Sequence, residues 1–535
     1  MAGPKTRSGC ALIAGLAALA LGAAPASAQL PPLPIPTVNV PPAPTYIGNP
    51  ATPQPVTGIP ATPQNPFMAP NGESEIHDDG WQTDVNWWGG PLGKEPQQVS
   101  SLLSRDCGSI TFDRAGRVLS VCVGVSGPEL YMFDPNTLET LATYMLPTRQ
   151  HPPSNLFQDF TGGGYFYLDN QDRVVAATTT HHIYVIAETP GAPGFTLVHD
   201  YSLASVLTSS EDITSALPDS NGLLWFVTKT DGVVGTLNLS TGAIHTVHLG
   251  NGSEGEIENS FATDESGGVY IATNRKLYRF GAGAGGAPKI VWQVTYPNSG
   301  EHKPGQVDDG TGTTPTVMPG GYVNITDNAD PMDIMVYRTA AHPKLPRQVC
   351  QVPIFSKGAS ADENSLITAG RIMIAENNYG YTDPTSVEGK TTTPGFVRVD
   401  LNANGNGCHT VWTNTTESAP TVVSKLALAN GLVYTYTTDA SGDWYWTALS
   451  SRTGDVVYKV LAGTGIGYNN NYAGISISPS GTEYLGTLGG IIALRDGVAT
   501  PQPPPAAASA TRTRVRRHRR RRISRRPHRS VGFTG

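Results

Sequence analysis

The stretch EIENSFATDESGGVYIAT (residues 256–273) returns in altered form as DENSLITAGRIMIAEN (residues 362–377). Each carries Glu-Asn-Ser, then a short turn, then a run of apolar and β-branched residues. Runs of this kind bounded by Asp, Asn, Ser and Gly read as antiparallel hairpins. Outward from this pair the unit recurs as SITFDRAGRVLSVCVG … ELYMFD, YFYLDNQDRVVAATT … HIYVIAE and ITSALPDSNGLLWFVT … VGTLNLSTGAIHTVHL. It continues as TPTVMPGGYVNITDN … DIMVYR, KLALANGLVYTYTT … WYWTALSSRTGDVVYKV and GISISPSGTEYLGTLGGIIALRD. Turn signals at strand-length spacing, with almost no 3.6-residue periodicity, predict an all-β chain.

Eight units between Cys107 and Gly497 give a period of about 49 residues, in the range of propeller blades. The expected fold is therefore a single β-propeller of eight four-stranded blades, with seven blades and an irregular insertion as the alternative count. The last unit is one strand short. EPQQVSSLLSR (residues 95–105), just ahead of the first unit, is expected to supply it and close the ring without an open sheet edge.

The ends of the 535-residue chain differ from its body. Lys5 and Arg7 precede the apolar run CALIAGLAALALG and then ASA, the pattern of a secretory signal peptide over residues 1–28. Residues 29–70 are dominated by Pro, Ala, Thr and Asn and read as an extended, disordered spacer. Residues 71–105 hold the acidic, aromatic HDDGWQTDVNWW and the closing strand, and residues 106–497 form the ring. Residues 498–535 are a Pro/Ala stretch followed by eleven arginines between Arg512 and Arg529, which self-repulsion keeps disordered. Setting aside those arginines, Lys5 and Arg7 leaves 23 basic against 43 acidic residues in the body. A net charge of −7 thus conceals an acidic ring and a basic tail.

Apart from Cys10 in the leader, four cysteines remain, an even number suited to an oxidising compartment. Cys107 and Cys122 fall on the first two strands of one unit. Cys350 and Cys408 fall on the outer strands of consecutive units. The expected disulfides are Cys107–Cys122 and Cys350–Cys408. No later segment approaches the ~20 apolar residues of a spanning helix, so a secreted or extracellular protein, possible envelope attachment included, is the expected localisation.

LSSRTGDVVYKV, LNLSTGAIHTVHL and FDPNTLETLATYM resemble the strand–turn–strand signature of quinoprotein-like propeller repeats. The resemblance implies a propeller over roughly residues 106–497. Quinoprotein alcohol dehydrogenases clamp pyrroloquinoline quinone with a vicinal disulfide and a calcium ion. No two cysteines are adjacent here, which places that cofactor last among the candidates.

Each Glu-Asn-Ser triplet precedes the innermost strand of its unit, so Glu258, Asn259, Glu363 and Asn364 are expected at the entrance of the central channel. Glu258 and Glu363 are oxygen ligands of the type Ca²⁺ uses. The bland alternative is that Asn and Ser tie neighbouring blades together, since buried polar groups must be paired. Asp327 and Asn328, then Asn377 and Asn378, follow second strands where loops emerge. With Tyr379 and Tyr381 nearby, they suit a small molecule or a polysaccharide. Arg516, Arg517, Arg519, Arg520, Arg521 and Arg522 suit an anionic cell-envelope polymer.

Three functions fit these features. First comes a secreted binding or scaffold propeller, expected as a monomer. Second is a calcium-dependent, lactonase-like hydrolase working in the central acidic pocket. Third is a quinone-dependent dehydrogenase. No Ser-nucleophile, HExxH, P-loop or dinucleotide motif decides among them.

Overall fold

The computed structural model describes residues 44–149, 159, 161–250, 254–382 and 389–497. The leader, residues 29–43 and the arginine tail lie outside the described residues, as does Asp383 of the AENNYGYTD loop.

Eight antiparallel sheets succeed one another along the chain. Blades 1 to 7 span residues 106–145, 167–202, 213–248, 262–295, 316–353, 367–414 and 425–464. Blade 8 takes three strands from residues 475–496, and its fourth, Pro96–Leu102, pairs antiparallel along Gly490–Asp496. Eight blades rather than seven close the ring, and the strand expected from EPQQVSSLLSR closes it. The architecture is the eight-bladed β-propeller that the repeats predict.

The hairpins form because their turns are encoded alike. In blades 1 to 4 an Asp follows the innermost strand: Asp113, Asp169, Asp219 and Asp264. Its Oδ1 accepts backbone N–H bonds from two and four residues ahead, at 2.8–3.1 Å. A left-handed residue sits three ahead, glycine in three blades and Asp172 in the fourth. Gly and Asp tolerate that conformation, so the turn is local in origin. Strands Leu224–Thr228 and Val269–Ala272 are then wholly buried, and Trp225, Trp444 and Trp446 fill the space between blades.

Both disulfides form as expected. Cys107 and Cys122 are directly paired across one hairpin, and Cys350–Cys408 joins the outer strands of blades 5 and 6.

The expectation of a disordered spacer over residues 29–70 is corrected from residue 44 onward. Tyr46–Gly48 adds a strand to the outer edge of blade 7, and the amides of Gln54 and Val56 donate to the carbonyls of Asn430 and Leu428 at 2.9 Å. A Pro-rich segment cannot build a core of its own. Here it finds partners on an edge already built.

The acidic segment circles the axis on the inner side of the ring, meeting one blade after another. Its carbonyls accept backbone N–H bonds from one innermost strand after another: Ser74 from Leu168, Gly80 from Thr263, Trp81 from Val317, Thr83 from Thr368 and Asp84 from Leu426, at 2.6–3.0 Å. Val85–Asn86 then pairs in parallel with blade 7, and the Trp88 indole donates to Ile477 O of blade 8 at 2.7 Å. Left-handed backbone at Asp78, Gln82 and Asp84 curls the segment so that its carbonyls face outward.

Asp84 and Lys425, both fully buried, meet at 2.5 Å. Asp78 lies 3.4 Å from the same ammonium, and the Ile76 carbonyl accepts from it as well. Burial alone would raise the Asp84 carboxyl, but Lys425 and then His77 beside it hold it below the usual range. Replacing Lys425 by Met should destabilise the ring by about 3–5 kcal/mol, because a buried carboxylate loses its cation. Asp84→Asn combined with Lys425→Met should recover most of that loss in denaturant unfolding. Equal losses in the single and double variants would show that the ion pair does not hold the segment.

Candidate functional site

Glu258 and Glu363 occupy equivalent places ahead of the innermost strands of blades 4 and 6. Both are buried. Glu258 pairs with Lys229 of blade 3 at 2.8 Å. The two carboxylate oxygens of Glu363 have no well-formed hydrogen bond, and the Val307 amide is the donor that most favours its charged form. Asp308, from the long loop before blade 5, stands close enough to raise both acids, and its own carboxylate accepts the Gly310 amide at 2.7 Å.

Burial first, and repulsion from Asp308 and Glu258 next, push Glu363 well above the ordinary range. Burial takes Glu258 up to about 7 against the pull of Lys229, and burial with repulsion from Glu256 takes Asp308 up to about 7. The Tyr165 hydroxyl, from ahead of blade 2, donates to Asn259 Oδ1 at 2.9 Å, and its ring stacks beside His77. His77 in turn meets Ser365 Oγ at 2.7 Å, Asp84 at 3.2 Å and Thr314 at 3.5 Å. The end of the channel where the innermost strands begin is thus lined by acids and hydroxyls from the approaches to blades 2, 4, 5 and 6, with Lys229 of blade 3 and His77 of the axial segment.

The Asn and Ser of the triplets join neighbouring parts of the ring. Asn364 Nδ2 donates to Val422 O at 3.1 Å, ahead of blade 7, and to Glu376. Ser260 bonds Ser215 of blade 3 at 2.8 Å, and Ser365 donates to Asp84 of the axial segment.

The loop asparagines are buried as well. Asn378 accepts the Glu363 amide at 2.8 Å and donates to Ala419 O at 3.2 Å. Asn377 holds Ala359 O at 3.0 Å, and Asn328 holds the carbonyls of Glu301 and Asp309 at 2.9 and 2.8 Å. Asp327 caps its own turn by accepting the amides of Ala329 and Asp333 at 3.0 and 2.8 Å. Burial, reinforced by Asp333, raises its carboxyl to about 8. Asp327, Asn328, Asn377 and Asn378 are therefore engaged in ordering the loops beside their strands.

His302 bonds Gln306 O within its own loop, His181 bonds Glu211 O at 2.6 Å, and His182 pairs with Asp200.

Asp308, Tyr165, Lys229 and the His77–Asp84–Lys425 group escaped the sequence reading. A lysine inside the apolar strand of SKLALANG was the one available signal, since a buried ammonium demands an acid. Nothing around Tyr165 marks it locally.

Among the described residues, no three or more His, Cys, Asp or Glu side chains are grouped to hold a metal ion. Pyrroloquinoline quinone does not fit the residues present: all four cysteines of the ring are engaged in the two long-range disulfides, so no vicinal pair exists. No helix among the described residues is long and apolar enough to cross a membrane.

No family model matches the chain. An uncharacterized protein of Archaeoglobus fulgidus is 25% identical over 363 residues, covering 62% of this chain and 70% of its own length. Among solved structures, the chain is similar to a quinohemoprotein alcohol dehydrogenase from Pseudomonas putida HK5 (11% identity, 82% of each chain, TM-score 0.48). It is also similar to Chaetomium thermophilum Sqt1 bound to the N-terminus of ribosomal protein L10 (12% identity, 77% of this chain and 100% of that one, TM-score 0.49). A streptogramin B lyase shares 11% identity over 75% of this chain and 97% of its own, with a TM-score of 0.41. Likenesses this distant carry no argument about activity.

The buried acids make stability depend on pH with a definite sign. Glu258 and Asp308 at about 7 and Glu376 at about 8 are raised by burial above unfolded values near ~4. Their contribution is complete below the unfolded values and is lost as pH rises through 7 to 8. The melting temperature should be higher at pH 5 than at pH 8, and Glu363→Gln should raise it at pH 8 and flatten the slope. A flat profile in the native protein would refute the assignment of these acids as buried and protonated.

Proposed function

We propose that this chain is an exported binding propeller with a sealed centre, held to an anionic envelope polymer by its arginine tail. The observation that carries the reading is the axial segment. Residues 74–86 accept hydrogen bonds from the innermost strands of blades 2, 4, 5, 6 and 7, where a central pocket would otherwise receive a substrate. Binding is then left to the outer surfaces and the clefts between blades. Charge supports the anchoring half of the proposal: eleven arginines follow the Pro/Ala stretch, and the body is acidic. No aromatic residue interleaves the arginines, which disfavours base stacking and nucleic acid. Full-length protein should sediment with cell envelopes at low salt and be released within the physiological range, while a chain ending at Gly497 stays in solution. Equal sedimentation of the shortened chain would assign attachment to the blades.

A second reading, a calcium-dependent hydrolase of lactonase type, is favoured by Glu363, buried beside Asp308 and Glu258 with neither oxygen in a well-formed hydrogen bond. Glu258 and Glu363 would hold the cation, which would supply Lewis-acid polarisation of a carbonyl. Calcium should then raise the melting temperature of the native protein and leave that of Glu363→Gln unchanged. Equal melting with calcium and with chelator removes this reading.

A further inference from the structure

Between blades 5 and 6 the outer wall of the ring opens into a cleft of about 320 Å³, at the small end of ligand-binding pockets. One wall is the end of the outermost strand of blade 5, Gln348–Pro353, with the turn that follows it. The other is built from Phe396–Leu401 and Cys408–Asn414 of blade 6. None of the lining residues is charged. Thr393, Thr410, Thr413 and Thr415 line the cleft, and their hydroxyls make no hydrogen bond among the described residues. Phe355 and Pro394 supply the apolar part.

Three features hold this cleft in shape. The Cys350–Cys408 disulfide joins the two outer strands that form its walls, three residues before Pro353 and two before Thr410. Phe355 has left-handed backbone, φ 64°, a conformation that a non-glycine residue keeps only where its surroundings hold it. Its ring rests on Gly395, where a Cβ would come within 2.8 Å of it, so only glycine leaves the ring that position. Asn377 at the base is fixed by Ala359 O at 3.0 Å and by the amides of Ala361 and Tyr379 at 3.2 Å. Hydroxyl-bearing side chains and an aromatic ring are thus presented by a braced, uncharged wall.

That combination matches a pyranose, whose C–H face packs on an aromatic ring and whose hydroxyls both donate to and accept from threonine. It offers no counter-charge to an anionic sugar, a phosphate or a basic peptide. We infer that the cleft between blades 5 and 6 is a binding subsite for an uncharged hexose unit of a polysaccharide. This inference rests on the binding-propeller reading and names a ligand class for it. The arginine tail takes the anionic polymer, and the cleft takes the neutral one.

The test is retention of the full-length protein on cellulose, chitin, insoluble starch and mannan at about 1 M salt, where the screening length of ~3 Å suppresses contacts of the tail. Retention is expected on at least one of the four. It should fall about tenfold in Thr413→Lys, which places a long charged chain in the cleft, and in Phe355→Ala, with Thr413→Ser behaving as the native protein. Unchanged melting temperatures separate loss of the site from loss of the fold. Absence of retention on all four polymers, or retention unaffected by both variants, overturns the assignment. Envelope sedimentation at low salt reads the tail independently, so the subsite can fail while the anchoring stands, and the reverse.

Discussion

A lysine ammonium and an aspartate carboxylate, both shut away from water at the axis of the ring, hold the centre of this protein together. Lys425 belongs to the innermost strand of blade 7, and Asp84 to the segment that threads the ring before the first blade is made. Each charge would be costly alone in that setting, and together they fix the register of the axial segment. From this anchor the backbone carbonyls of the segment reach the innermost strands of successive blades. Innermost strands normally face a channel with their amides partly unmet. Here the chain supplies the acceptors itself, and the ring closes around its own leading residues.

The same arrangement accounts for the acidity of one end of the channel. In a ring of repeats, equivalent positions converge on the axis, so a polar residue written ahead of each innermost strand becomes a cluster. Glu258, Asp308 and Glu363 come from the approaches to blades 4, 5 and 6, and Glu75 from the axial segment joins them near Tyr165. Burial raises all of them, Glu363 and Glu75 well above the ordinary range and Glu258 and Asp308 to about 7, which lets neighbouring carboxyls coexist. Asparagines and serines of the same triplets tie one blade to the next. Interblade polar bonding and the acidic cluster are thus two products of one repeated sequence position.

Away from the axis, the ring is braced where its wall is open. The Cys350–Cys408 bridge crosses between blades instead of within one, beside the uncharged cleft, whereas Cys107–Cys122 lies inside a single hairpin.

The hairpins were legible residue by residue: Asp113, Asp169, Asp219 and Asp264, each with a left-handed residue three positions on, dictate their turns through bonds that span only four residues. Blade count, the closing strand and both disulfides followed, because each depends on the period of the repeat and on which strand a residue occupies. The places of Glu258 and Glu363 followed for the same reason. The axial path of residues 72–88 could not be read this way, since His77, Asp84 and Lys425 are brought together by ring closure across more than three hundred residues. Nor could the docking of residues 44–70, whose prolines suggest a spacer until the edge of blade 7 and the carbonyls of Leu428 and Asn430 are in place. Local hydrogen bonding and strand period determined the blades from the sequence alone. What fills their centre, and which acids lose their water, was decided by the tertiary structure, because burial is a property of the closed ring and of no single segment.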